Sequence, residues 1–229
     1  MNSPLVTALM AALPQFVTGT WLTVQLVALS LLVGLVLATL VAVMRLSHLA
    51  PLSWVARGYI YVFRSTPLLV QIFLIYYGLG QFDAVRQSLL WPLLREPYWC
   101  AIIAFVLNTG AYTAEIMRGG IEAVPHGQVE AARACGMGGG LLFRRIILPQ
   151  AFRLALPAYG NEIILMLQGS ALASTITLME LTGVAKAIAA RTFQPIEVFC
   201  LAGTVYLGMS FLITRGVQLA ERRLTPVKR

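Results

Sequence analysis

Three ionisable side chains interrupt stretches of sequence that are otherwise apolar: Arg64, Glu115 and Glu162. None belongs to a set built to break bonds. There is no Ser/His/Asp grouping and no metal-ligand spacing around His48 or His126, and Cys100, Cys135 and Cys200 are scattered without a Cys-x-x-Cys pair. What such charges can do is attract a charged cargo or pair with one another. Glu162 would draw a cationic group into a translocation path, or form a structural ion pair with Arg64 or Arg153; spacing leaves both readings open. Arg64 precedes Pro67, whose ring nitrogen has no hydrogen to donate and so frees the carbonyl one turn earlier. Arg64 is expected to satisfy that carbonyl, pair with an acid or extend toward the membrane surface; a gate or hinge in this segment is the functional alternative. Glu115 stands three residues before Arg118, the spacing of a helix ion pair.

These charges carry weight because of their surroundings. Of 229 residues, 11% are charged and 59% hydrophobic, against about 25% charged in a soluble domain. The first 44 residues carry no charge at all. A charge at the bilayer centre costs about 2.5–3.5 kcal/mol by insertion measurements, so an ionisable group there is a functional candidate by default. A spanning helix needs about 20 apolar residues. Five segments qualify, over about 20–44, 58–80 (interrupted by Arg64 and Pro67), 98–117, 154–178 and 197–219. The expected fold is therefore all-α and polytopic, with a membrane domain over 20–220. Residues 1–19, with Pro4 and Pro14, read as a broken periplasmic approach to the first span, and 221–229 as a cytoplasmic tail. Met-Asn-Ser-Pro lacks a positive leader region, so the first span reads as a retained anchor. Gly34, Gly110, Gly203 and Gly208 are expected to allow close helix packing.

The net charge of +8 is segregated. Arg45, Arg57, Arg118, Arg133, Arg144, Arg145, Arg153, Arg222, Arg223, Lys228 and Arg229 fall on one side of the expected spans. Arg86, Arg95, Lys186 and Arg191 fall on the other. The richer side is cytoplasmic by the positive-inside rule, which places the N-terminus outside and the C-terminus inside. The outer loops, about 81–97 and 179–196, are short and carry turn residues, too little for a folded binding domain.

The long inner loop, about 119–152, is the informative one. Pro125 stands where a first-turn proline belongs, a short helix is expected over 127–135, and Gly136 stands where a helix-ending glycine belongs. Gly138, Gly139 and Gly140 make a flexible break. A second helix is expected over 141–148, with Pro149 ending it. The unit reads as helix, turn, helix, able to rest on lipid or to plug into a partner.

Glu130-Ala131-Ala132, three residues, Gly136, nine residues, then Ile146-Ile147-Leu148-Pro149 resembles the cytoplasmic EAA signature of ABC importer permeases. Phe63 to Gln71, Asn108 to Ile116 and Leu156 to Glu162 look like further motifs of the polar amino acid permeases, of the histidine/arginine/lysine/ornithine/opine M-subunit type. The resemblance covers roughly residues 20–220. It implies a type I importer permease whose loop forms coupling helices in a groove of the ATPase subunits, with Glu130, Ala131, Ala132, Gly136 and Pro149 at that contact. It also implies two ATPases, which bind the ATP and magnesium, a second permease subunit and a periplasmic binding protein; this chain needs no cofactor of its own. Glu162, Asn161, Gln168 and Arg64 are the substrate-path candidates. Many relatives carry a lysine where this chain has Gln168, and losing that positive charge favours a cationic cargo. The expected function is ATP-driven import of polar, basic amino acids or opines across the bacterial inner membrane. The principal alternative, an ion-gradient-coupled secondary transporter, is weakened by the absence of an internal repeat. A membrane enzyme lacks a catalytic cluster, and a scaffold has no use for Arg64 and Glu162.

Overall fold

Within a bilayer, an apolar chain satisfies its backbone polar groups internally by becoming helix, and this chain does so almost throughout. The structure is a computed structural model describing residues 4–224, with side chains from Leu13 onward. Helix α1 spans Pro4–Leu46 and α2 spans Ala50–Ser65. After a 105° turn, α3, Leu68–Phe73, runs on through a π-helical turn to Gln81. Two four-residue helices lead to α4, Pro97–Glu122. Next come α5, His126–Ala134, and α6, Leu148–Gly169, which ends in the 3-10 segment Ser170–Ile176. Then α7 spans Leu181–Thr192 and α8 spans Pro195–Leu224. Among the described residues, three helices are long and apolar enough to cross a membrane, and two bent pairs raise the number to five.

The order of packing follows from side-chain size. Ala101, Ala104, Ala111 and Ala114 are fully buried along α4, and small residues let neighbouring backbones approach. Helix α4 is accordingly central, with α1 along one side, α6 on another and α2 against both α1 and α4. Leu26, Ile72, Phe105, Leu167 and Ile176 join these elements in one core. Gly34 and Gly110 lie at close helix approaches, as expected, whereas no atom comes near the Cβ position of Gly203 or Gly208.

Three expectations need correction. Residues 4–19 are not a broken approach: α1 continues through Pro14. Phe16, 3% exposed, packs with Leu181, Val184 and Ala185, and that burial carries the helix past an interior proline that costs about 3 kcal/mol or more. Residues 1–3 lie outside the described residues, as do 225–229 of the expected tail, whose earlier part continues α8 to Leu224. The segment 179–196, expected as a short outer loop, is not a simple loop. It holds α7, whose Leu181, Val184, Ala185, Ile188 and Ala189 form a buried stripe. Pro149 does not end a helix. It falls in the first turn of α6, where its missing donor is tolerated, after a π-helical turn over Phe143–Ile147.

Helix α7 is anchored by a carboxylate that sequence reasoning passed over. Glu180 is fully buried and caps α7, accepting from the backbone N–H of Thr182 (2.9 Å) and of Gly183 (2.8 Å). Tyr206 of α8 donates its hydroxyl to Glu180 Oε2 at 3.0 Å. Thr23 of α1 accepts the Leu181 N–H at 3.1 Å, and its hydroxyl lies 3.4 Å from Glu180 Oε2. One carboxylate therefore ties α1, α7 and α8 together. Glu180→Ala removes a cap worth about 0.5–2 kcal/mol and leaves buried donors unpaired at about 1–3 kcal/mol each. We expect it to lower the melting temperature of the detergent-purified protein and its membrane abundance several-fold, with Glu180→Gln less harmful. Unchanged melting of the alanine variant would refute the anchoring role.

Candidate functional site

The turn after α2 is built around Pro67. In a continuous helix the residue at 67 would donate to the Phe63 carbonyl, and proline cannot. Gln71 does so instead: its Nε2 donates to Phe63 O (2.9 Å), Thr66 O (3.1 Å) and Thr66 Oγ1 (2.8 Å). Asn108 of α4 bridges to the same place, donating to Gln71 Oε1 at 3.0 Å and to Phe63 O at 3.3 Å. Arg64 is thereby released from the role of satisfying that carbonyl. Its guanidinium lies over the Tyr112 ring at 5.1 Å, a cation–π contact.

Glu162 projects from α6 toward α4 and is 4% exposed. Its Oε1 accepts the Thr109 hydroxyl at 2.9 Å. Among the described residues it forms no ion pair, with Arg64, Arg153 or any other cation. Its second oxygen has no hydrogen-bond partner among the described residues, yet it is not sealed from access. It borders a cavity of about 400 Å³ lined by Arg64, Thr66, Pro67, Asn108, Tyr112 and Glu162, with Leu165 and Met166 as apolar wall. A volume in this range suits a small ligand. The chamber thus combines one under-paired carboxylate, one guanidinium and an aromatic face. That combination can hold a molecule with charges of both signs, and it offers no nucleophile–base pair.

The other two path candidates are not at this chamber. Asn161 is exposed and borders a separate cavity with Pro157, Thr214 and Gln218. Gln168 is exposed and does not line the chamber. Asn161 stands one residue before Glu162, about 100° round the helix, so the two side chains diverge. Thr109, Asn108 and Tyr112 are the residues missed as individuals. Their signal was present: polar positions at 108 and 112, one turn apart, in an otherwise apolar helix.

The chamber depends on a close approach behind it. A methyl group added at Gly34 would lie 2.5 Å from Thr109 Cγ2, so Thr109 must rotate or α1 must withdraw. Overpacking of this kind costs about 1–3 kcal/mol. We expect Gly34→Ala to lower stability by that amount and to impair uptake through the same route as Thr109→Val. Initial uptake rates of the two single variants and the double variant test this, because effects that simply add would place Gly34 outside the Thr109–Glu162 pathway.

At the loop, α5 ends in a Schellman motif. Gly136 has φ +79°, its N–H donates to Arg133 O (2.9 Å), and the Met137 N–H donates to Ala132 O (3.1 Å). Glu130, Ala131, Gly136 and Pro149 are exposed, whereas Ala132 is buried and holds α5 to the body of the loop. Glu115 is bonded by Arg118 at 2.8 and 2.5 Å, as its spacing predicts, and Arg118 also pairs with Glu122.

Residues 30–226 match the family described as binding-protein-dependent transport system inner membrane component. The chain belongs to that family. The permease is 55% identical over 222 residues to the octopine transport system permease protein OccM of Rhizobium meliloti, covering 97% of this chain and 88% of that one. It is 42% identical over 207 residues to the histidine/lysine/arginine/ornithine transport system permease protein HisM of Escherichia coli K12, covering 90% and 87%. A crystal structure of an amino acid ABC transporter with histidines superposes with a TM-score of 0.86 at 37% identity, over 95% of the permease and 97% of that chain. The permease is thus a multi-pass inner-membrane transport subunit of an ABC transporter complex and not an enzyme. Its all-helical architecture is that of an amino acid ABC transporter. Family membership displaces the ion-coupled alternative.

Proposed function

We propose that this permease carries basic amino acids or opines into the cell, with Glu162 receiving the cationic end of the cargo. The observation that supports this most directly is the Glu162 carboxylate, buried without a cation of its own and bordering a chamber. A buried charge is costly unless paired, so a guanidinium, ammonium or imidazolium cargo completes the site. Relatives named for octopine and for histidine, lysine, arginine and ornithine agree with a cationic cargo. Of the remaining path candidates, Arg64 shares the chamber, while Asn161 and Gln168 would meet cargo only where a partner permease faces α6.

Transport is driven from outside the chain. Two ATPase subunits bind ATP with magnesium, and their closure is passed through the 119–152 loop to the spans. Glu130, Ala131, Gly136 and Pro149 form the exposed contact, and Ala132 supports it from within. A second permease subunit, a different chain or a copy of this one, completes the pathway, and a periplasmic binding protein delivers the cargo to the outer side. The N-terminus is periplasmic and the C-terminus cytoplasmic. The permease itself supplies differential affinity for two conformations, and a ligand shifts such an equilibrium only as far as it prefers one of them.

The test is purification of the tagged permease from native membranes in mild detergent, mass spectrometry of its companions, and ATP-dependent uptake of labelled arginine and octopine by the reconstituted complex. Recovery of an ATPase together with uptake of either cargo supports the reading. An intact complex that carries neither and prefers a neutral or acidic cargo would overturn it.

A further inference from the structure

A second cavity adjoins the Glu162 chamber, and nothing above has given it a use. Its volume is about 500 Å³, and Arg45, Arg57 and Arg64 all line it, with Tyr61 and Glu115. Arg45 closes the last turn of α1, while Arg57 and Arg64 lie on α2. Among the described residues none of the three is in an ion pair. The single acid in the lining, Glu115, is already bonded by Arg118 at 2.8 and 2.5 Å. The cavity therefore presents guanidinium groups with no directly paired acid among the described residues. Arg64, Ser65 and Tyr112 line both this cavity and the chamber, so the two compartments meet at Arg64, one marked by a lone carboxylate and the other by three cations.

We infer that Arg45 and Arg57, with Arg64 between the compartments, form a second subsite that takes carboxylate groups of the cargo while its cationic end lies at Glu162. The inference rests on the proposed function above. Arginine side chains bind carboxylates in a planar, two-point geometry that lysine cannot reproduce. A cargo with one carboxylate needs Arg64 alone. A cargo of the N-carboxyalkyl-arginine class, with a guanidinium at one end and a further carboxylate at the other, engages Arg45 and Arg57 as well. The pair of compartments thus selects for extra carboxylates on a basic amino acid, a preference that Glu162 cannot supply.

The test uses the complete transporter, with its ATPase, partner permease and binding protein, in phosphatidylcholine vesicles and again with anionic phosphatidylglycerol added. Uptake of octopine and of arginine is measured for the wild type and for Arg45→Gln, Arg57→Gln, the double variant and Arg57→Lys. We expect the octopine-to-arginine uptake ratio to fall about tenfold in the double variant, as for loss of one charged hydrogen-bonded contact, in both lipid mixtures, with Arg57→Lys restoring only part of it. Equal loss for the two cargoes, or no loss for either, would overturn the subsite. So would an effect confined to vesicles containing phosphatidylglycerol, which would assign the arginines to a lipid headgroup. A wild-type complex that carries arginine but not octopine overturns this inference alone; one that carries neither overturns the parent reading and this one with it.

Discussion

Gly136→Asp should abolish ATP-driven uptake while leaving the permease in the membrane. Gly136 holds a left-handed conformation, φ +79°, at the end of α5, and a side chain there costs about 1–2 kcal/mol relative to glycine. That penalty is too small to unfold a protein with this much buried helix. Nothing lies within 4 Å of the added Cβ position, so the carboxylate meets no obstacle inside the chain and projects from the loop surface. Whatever seats on the Schellman turn then meets both bulk and negative charge. We expect the rate of ATP-dependent uptake to fall by about tenfold or more, equivalent to at least ~1.4 kcal/mol lost at the contact, at unchanged abundance. Gly136→Ala separates the two causes, because it brings at least as much backbone strain without the charge. Normal uptake by the aspartate variant at equal abundance would remove the loop from the coupling pathway.

Glu162→Gln should have the second large effect, and of a different kind. The amide is nearly the same shape and can still accept from Thr109, so the α4–α6 contact survives. What disappears is the negative charge beside the chamber. Hydrogen bonds to a charged group contribute about 1.5–3 kcal/mol, so uptake of a basic amino acid is expected to fall about 10- to 100-fold. The melting temperature should stay the same or rise, since a buried charge without a cation costs stability. A parallel loss of abundance and uptake would instead make Glu162 a structural residue, and undiminished uptake would move the cargo elsewhere.

The spans were readable because apolar runs of about 20 residues have few alternatives in a bilayer, and the loop was readable because proline and glycine punctuate it. Thus Pro125 precedes α5 and Gly136 follows it, within one residue of expectation. Helix α7 was missed although Leu181, Val184, Ala185 and Ile188 repeat at helical spacing; Gly183 and the flanking charges masked the stripe. Glu180 was missed for a related reason. At the edge of an apolar run an acid reads as solvated, and only tertiary structure brings Thr23 and Tyr206 to it across the chain. The continuation of α1 through Pro14 was unreadable because it depends on Phe16 meeting Leu181 far along the sequence. Glu162 stood out because its cost is local, but whether it had a cation could be settled only by packing. The same holds for Asn161 and Gln168, which are near Glu162 in sequence yet do not line its chamber.

The corner at Pro67 has a consequence for how this protein ages. Its chief tie is the primary amide of Gln71, whose hydrogens point at Phe63 O, Thr66 O and Thr66 Oγ1, with Asn108 adding a longer bond to Phe63 O. Hydrolysis of Gln71 to glutamate would change almost nothing in volume, yet it would replace the donor with an anion facing oxygen atoms. Asn108, which donates to Gln71 Oε1, could still reach the carboxylate, but no group would remain on α3 to answer the carbonyls freed by the proline. This lesion would loosen the corner and the wall of the chamber together, because Thr66, Pro67 and Asn108 belong to both. The joint therefore distinguishes amide from acid by both hydrogen count and charge, although the two side chains have nearly the same volume.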